Sequence, residues 1–200
     1  GTKQGSIVKV SSARQSSGEH DPTYRDFEEK GNVSDFVTSH KIRILKLEDP
    51  GVDNDAYDLF ETFPESIVIA TYRPVELIVN SHANIKPWGM APQRVVENWN
   101  SNLKFYETAA KANRLILIPL EDKTAFDADV AAARLGNPVP ESWSQFWDEW
   151  PCINDLKSQK QYSNDASDIS FSMSRADLIR EFPEIEELTA RYVQLVRDCN

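Results

Sequence analysis

The sequence is poor in cysteine and in long apolar runs, and each shortage excludes a class of protein. Its two cysteines, Cys152 and Cys199, stand far apart and form no CxxC pair, so neither a zinc site nor a disulfide framework is indicated. A single disulfide between them is one alternative, but two free thiols in a reducing cytoplasm is the simpler interpretation, and we expect a cytoplasmic protein. No stretch approaches about 18 consecutive apolar residues, and the first residues resemble neither a signal peptide nor a transit peptide, so we expect a soluble chain.

Positive charge is also scarce. The chain carries 22 Lys and Arg against 32 Asp and Glu, a formal net charge of −10. This balance argues against a general nucleic-acid binder and against binding to anionic membranes, so any anionic ligand must be met by a local basic site. The three histidines, His20, His40 and His82, share no metal-ligand spacing, and we predict no metal site.

What is present is the composition of an ordinary globular protein. Of its 200 residues, 40% are hydrophobic and 27% are charged, which excludes a disordered or collagen-like chain. We expect one domain over residues 1–200, with an α/β core at 7–140 and a helical C-terminal part at 141–200. The polar segment 155–174 is predicted to be a mobile loop. A stripe of Trp143, Trp147 and Trp150 at helical spacing favours core packing, with an exposed platform for an aromatic acceptor as the alternative.

The apolar period alternates between that of a strand and that of a helix. Strands are predicted at 7–10, 41–47, 66–72 and 115–118, and helices at 23–30, 53–63, 74–85, 92–112, 126–135 and 178–196, the last interrupted near Pro183. The run at 66–72 is unbroken, which is typical of a central strand covered on both faces. The pattern predicts a three-layer α/β/α fold with a mostly parallel sheet, in which the loops after the strands meet at one edge. Ligands are expected at that edge.

Three of these loops carry candidate binding residues. The loop Ser11–Gly18 has Arg14, Ser16 and Ser17, whose side chains and neighbouring amides suit a phosphate, with a Ser-rich surface turn as the alternative. It is not a Walker A sequence, so an ATP- or GTP-hydrolysing function lacks its lysine.

A second candidate pair lies around the clearest strand. Arg73 follows this strand, and Ser81 falls two helical turns beyond Pro74, so both side chains are candidates for one phosphate. The alternative is that Arg73 pairs with a surface carboxylate and that Ser81 is only a tolerated helix residue.

The segment from Ile67 to Ser81, IVIATYRPVELIVNS, resembles the strand-Arg-helix-Ser signature of the PAPS-dependent sulfotransferase family. The resemblance implies that Arg73 and Ser81 bind the 3′-phosphate of PAPS (3′-phosphoadenosine 5′-phosphosulfate). Residues 115–122, a strand ending in an acidic pair, and residues 131–138, a helix exit with Leu-Gly-x-Pro, are similar to the family in order and type. The first strand and the loop up to Gly18 also resemble the family, although this chain has ARQSSG where the family usually shows Pro-Lys/Arg-Ser-Gly-Thr-Thr.

The resemblance covers about residues 7–140 and implies a P-loop nucleoside-triphosphate-hydrolase-like fold of the sulfotransferase type, with PAPS as cosubstrate and no metal. The loop residues Arg14, Ser16, Ser17 and Gly18 would then hold the 5′-phosphosulfate, and Arg175 would add a phosphate contact. The family's Lys-Thr-His after the second strand corresponds here to Lys46-Leu47-Glu48. Lys46 would therefore assist the sulfuryl group and Glu48 would be the base, with a solvated Lys46–Glu48 ion pair as the alternative.

The resemblance implies an enzyme that transfers a sulfuryl group to a hydroxyl or amine of a small-molecule or carbohydrate acceptor, and the acidic composition predicts no nucleic-acid or membrane partner. Two other functions stay open. One is a catalytically degenerate nucleotide-binding protein of the same fold, which the irregular phosphate loop favours. The other is a P-loop-like phosphotransferase, which the absent Walker lysine disfavours.

Overall fold

A computed structural model of the chain describes residues 7–10, 38, 44–47, 49–52, 54–84, 90–136, 139, 141 and 173–199. The chain divides into two compact units, Gly1–Ser66 and Ile67–Asn200. The predictions for the helix at 23–30, for segment 155–172 and for the tryptophan stripe lie outside the described residues.

Among its described residues, the first unit has a two-stranded parallel sheet and a helix at Asn54–Thr62. Strand β1 (Ile7–Val10) pairs with β2 (Ile44–Leu47) from Ile7 with Ile44 to Val10 with Leu47. Helix α1 spans Asn54–Thr62 and buries its apolar residues at i, i+3 and i+4, namely Ala56, Leu59 and Phe60. The predicted strands and helix are therefore present in this unit.

The second unit contains a second two-stranded parallel sheet. Strand β3 (Val68–Tyr72) pairs with β4 (Leu115–Pro119) from Val68 with Leu115 to Tyr72 with Pro119. The chain crosses between them through α2 (Val75–Asn84) and α3 (Pro92–Lys111), as a parallel pair requires. The α/β class and the parallel pairing are confirmed.

The remaining helices overlap the predicted ones, although the helix predicted at 126–135 begins two residues later and the final helical region extends three residues further at each end. A short 3₁₀ turn (Lys123–Ala125) leads to α4 (Ala128–Leu135), which Asp127 caps and which ends at Gly136 in the left-handed conformation, φ 65°. Helices α5 (Arg175–Glu181) and α6 (Ile185–Cys199) are separated by Pro183, the predicted interruption. Helix α3 ends at Lys111, and Asn113, two residues later, adopts the left-handed conformation at φ 56°.

An aromatic cluster joins α6 to the sheet and to α3. The Tyr192 ring stacks on Trp99 with ring centroids 4.4 Å apart and on Tyr72 with centroids 5.2 Å apart. The Tyr192 hydroxyl donates a hydrogen bond to the Trp99 carbonyl at 2.9 Å. This cluster supports the end of β3 from one side, because Tyr72 is the last residue of that strand.

The other face of β3 is exposed to solvent, whereas the sequence predicted a central strand covered on both faces. Ile69 is 56% exposed and Thr71 is also exposed, whereas Ala70 between them is buried. Successive side chains of a strand point to opposite faces, so one face of β3 is covered and the other meets solvent. An unbroken apolar run does not distinguish this arrangement from full burial. Strand β4, by contrast, is buried at four of its five positions.

Three further observations bear on the composition-based predictions. Cys199 is a free, buried thiol, and burial raises its pKa. Within the described ranges, no helix combines the length and the apolar character needed to cross a membrane. In the same part of the chain, no group of three or more His, Cys, Asp or Glu side chains lies close enough together to hold a metal ion.

Candidate functional site

The structure describes the surroundings of three of the predicted site residues, Arg73, Ser81 and Arg175, all in the second unit. Lys46 lies in β2 with Lys9 of β1 as its register partner. The other predicted site residues lie outside the described ranges; they are Arg14, Ser16, Ser17, Gly18 and Glu48. The histidines His20 and His40 lie outside these ranges as well.

The edge at the carboxyl ends of β3 and β4 positions the first of these residues. The strands are parallel, so both end at the same edge of the sheet. The Leu120 N–H donates to the Tyr72 carbonyl at 3.0 Å, which extends the ladder one step past the end of β4. Arg73 follows Tyr72 and Glu121 follows Leu120, so the two residues lie side by side just beyond the ends of the two strands.

Arg73 is paired with a carboxylate across this edge. Its Nε donates to Glu121 Oε1 at 3.3 Å, and the two side chains are 19% and 26% exposed. This is the ion pair that one interpretation of the sequence expected. A partly exposed pair held by one nitrogen contributes about 0–1 kcal/mol.

Helix α2 begins directly beside Arg73. Pro74 stands before the first helical residue, Val75, and its carbonyl accepts from the Leu77 N–H at 3.1 Å. The first amides of a helix have no intrahelical acceptor and carry partial positive charge. The residue order therefore places a guanidinium and a helix N-terminus at one sheet edge.

A second arginine, Arg175, contacts the first turn of α2. Arg175 Nη1 is 3.8 Å from Glu76 Oε1, in the first turn of α2, and the Arg175 side chain is 45% exposed. The other oxygen of Glu76 is buried and has no hydrogen-bond partner. Burial and the nearby Glu76 raise the pKa of the Tyr72 phenol, and Arg175 opposes that shift. Arg175 is therefore within electrostatic range of the residue that precedes Arg73.

The backbone before Arg175 is tied to α2 by one side chain. The Asn80 amide donates to the Met173 carbonyl at 3.0 Å, and the Met173 N–H donates to Asn80 Oδ1 at 2.8 Å. Ser174 then caps α5 by accepting from the Asp177 N–H. These contacts hold the start of α5, and with it Arg175, against α2.

Ser81 lies farther along α2. It follows Pro74 by two helical turns, about 10 Å along the helix axis. It is half-buried, and within the described ranges no hydrogen bond joins it to Arg73. Arg73 thus contacts Glu121 at the sheet edge, Arg175 contacts the first turn of α2, and Ser81 is next to the Asn80 contact.

Three residues of this region had no assigned role in the sequence analysis: Glu76, Asn80 and Glu121. Glu121 is the one that a sequence signal could have found, because an acidic residue after one parallel strand meets the residue after its neighbour. No such signal points to Asn80 or Glu76, because their partners, Met173 and Arg175, each lie more than 90 positions later in the sequence.

This arrangement suits an anion. Arg73 and the N-terminus of α2 supply positive charge at the sheet edge, and Arg175 contacts the first turn of the same helix; each arginine is paired with one carboxylate. Nothing in the set favours a cation, because each carboxylate already faces an arginine. Comparison with known proteins finds no matching family model, no matching curated protein and no matching solved structure.

Proposed function

We propose that this protein is a PAPS-dependent sulfotransferase with a three-layer, P-loop-like fold, and that Arg73 binds the 3′-phosphate of PAPS. The observation that carries the proposal is the position of Arg73. It follows a strand of a parallel sheet and directly precedes a helix that contains Ser81, in the order that the sequence resemblance implies.

The electrostatics of the edge support a phosphate ligand. The chain as a whole is acidic, with a formal charge of −10, so a phosphate dianion is repelled unless a basic site is present. Arg73 offers a planar set of N–H donors that matches phosphate oxygens, and the α2 amides add partial positive charge. Arg175, which contacts Glu76 in the first turn of α2, would add a second cation.

The transfer requires positioning and charge. The bond from sulfur to the phosphate oxygen of PAPS breaks, a new bond forms from sulfur to the acceptor oxygen or nitrogen, and the acceptor loses its proton. Arg14, Ser16, Ser17 and Gly18 would hold the 5′-phosphosulfate. Lys46 would stabilise the negative charge on the leaving oxygen, and Glu48 would accept the proton.

The test is calorimetric titration of the full chain with 3′-phosphoadenosine 5′-phosphate, adenosine 5′-phosphate and ATP. We expect the ligand with the 3′-phosphate to bind at least about 100-fold more tightly than adenosine 5′-phosphate, because buried charge-assisted contacts contribute about 1.5–3 kcal/mol each. Transfer of labelled sulfate from PAPS to a set of hydroxyl and amine acceptors then tests turnover.

The outcomes separate the three functions. Preference for the 3′-phosphate together with transfer supports the sulfotransferase. The same preference without transfer to any acceptor indicates the degenerate nucleotide-binding protein. Preference for ATP indicates a phosphotransferase, and equal binding of all three nucleotides refutes the assignment of Arg73.

A further inference from the structure

We propose that Glu121 is a positioning residue: it holds the Arg73 guanidinium through Nε and leaves the two terminal nitrogens for an anionic ligand. This inference rests on the proposed function for the identity of the ligand. The contact itself, from Arg73 Nε to Glu121 Oε1 at 3.3 Å, is a property of the chain alone.

The backbone on both sides of this contact is constrained. Arg73 lies between the last residue of β3 and Pro74, and a residue before proline is restricted to extended conformations. Glu121 follows Leu120, whose N–H is bonded to the Tyr72 carbonyl. Both residues therefore start from fixed points at adjacent strand ends, and their separation is set by the parallel register.

The atom used in the contact decides what it leaves available. Arginine has N–H donors on Nε and on two terminal nitrogens, and phosphate is commonly bound through two of them. An ion pair through Nε fixes the side chain near its stem, where it restricts most of the rotatable bonds. The flexible side chain is then ordered before a ligand arrives, which reduces the entropy lost on binding.

The opposite role for Glu121 is a competitor that a phosphate must displace. A competitor that blocks end-on binding would occupy both terminal nitrogens. Here one oxygen meets the inner nitrogen, and both side chains keep contact with solvent, which screens the repulsion between Glu121 and a phosphate. The geometry favours positioning.

The first experiment needs no ligand. Hydrogen exchange at the Arg73 Nε–H is measured by NMR in the full chain and in Glu121→Ala and Glu121→Gln. We expect Glu121→Ala to accelerate exchange of the Arg73 Nε–H toward the rate of the Arg94 Nε–H. Arg94 is paired with Glu97 at 3.6 Å on an exposed helix face. Glutamine, which still accepts a hydrogen bond, should retain most of the protection. Equal exchange at Arg73 and Arg94 in the unsubstituted protein overturns the proposal.

The second experiment measures the affinity for 3′-phosphoadenosine 5′-phosphate in the same variants. Glu121→Ala should weaken binding about 3- to 10-fold, the cost of ordering one flexible side chain on binding. Glu121→Gln should stay within about twofold of the parent protein, because the acceptor is kept. Glu97→Ala removes a carboxylate from an arginine pair elsewhere and should leave affinity unchanged. In an Arg73→Lys background, which lacks Nε–H, Glu121→Ala should have no further effect.

The two experiments distinguish a failure of the positioning role from a failure of the proposed function. Tighter binding in both Glu121 variants shows a competitor and overturns the positioning role while the proposed function stands. Protection of the Arg73 Nε–H that depends on Glu121, in a chain with no preference for the 3′-phosphate, refutes the proposed function and leaves the positioning of Arg73 established.

Discussion

The contact between Asn80 and Met173 gives the sharpest structural prediction, because one side chain makes two hydrogen bonds to a single backbone residue 93 positions away. Asn80→Ala removes both. Each bond has a net value of about 0.5–1.5 kcal/mol, so the loss is about 1–3 kcal/mol, offset by up to about 0.7 kcal/mol from the better helix propensity of alanine. The expected net destabilisation of about 0.3–3 kcal/mol corresponds to a decrease in Tm of roughly 1–12 °C for a chain of this size.

The location of the loss tests the reasoning more directly than its size. Met173 leads into α5, so the variant should open the start of that helix before the rest of the unit. Amide hydrogen exchange should accelerate at Met173, Asp177 and Leu178 and stay unchanged in β4. Gln93→Ala, which removes an exposed side-chain bond to Glu97, is the control and should change neither region. Unaltered exchange at Met173 in Asn80→Ala would refute the assigned contact.

Three further predictions concern the same unit. Arg73→Ala should weaken binding of 3′-phosphoadenosine 5′-phosphate by about 2–4 kcal/mol, with adenosine 5′-phosphate nearly unaffected; equal calorimetric losses for both would remove Arg73 from the 3′-phosphate. The raised pKa of Tyr72, due first to burial and then to Glu76, means that the fold favours the neutral phenol. The contribution of the neutral Tyr72 phenol to the free energy of unfolding is complete below the ordinary pKa of 10.0 and is lost as pH rises through the folded pKa. Urea unfolding should therefore show stability that falls above about pH 10, and the fall should be smaller in Tyr72→Phe. Tyr192→Phe keeps the ring stacking but loses the bond to the Trp99 carbonyl, and thermal unfolding should show a loss of about 1 kcal/mol, or roughly 2–4 °C. An unchanged Tm in that variant would mean that the hydroxyl bonds equally well to water.

Part of the candidate site followed from sequence. Arg73 was placed at the end of a strand and before a helix because the apolar run stops at Tyr72 and Pro74 suits the start of a helix. The sequence places Arg175 directly after a polar segment, and the structure begins the final helical region at this residue, three positions earlier than predicted. Neither pattern shows which carboxylate each arginine meets. Glu121 lies 48 positions beyond Arg73, and only the parallel register of β3 and β4 makes them neighbours.

By itself, the sequence determined the local elements. Apolar periodicity defined the strands and helices of both units, and Asn113, Gly136 and Pro183 ended helices because of their own backbone preferences. Such preferences act over a few residues and need no distant partner.

The tertiary structure alone decided the contacts between distant residues and the burial of each strand face. The Ile69 side chain is exposed to solvent although it belongs to an apolar run. The Tyr192 hydroxyl donates a hydrogen bond to the carbonyl of Trp99, 93 positions earlier. These outcomes depend on strand register and on which helix covers which face. Register and packing are set by the free energy of the whole unit, so a local pattern specifies the face that can be buried but not the element that buries it.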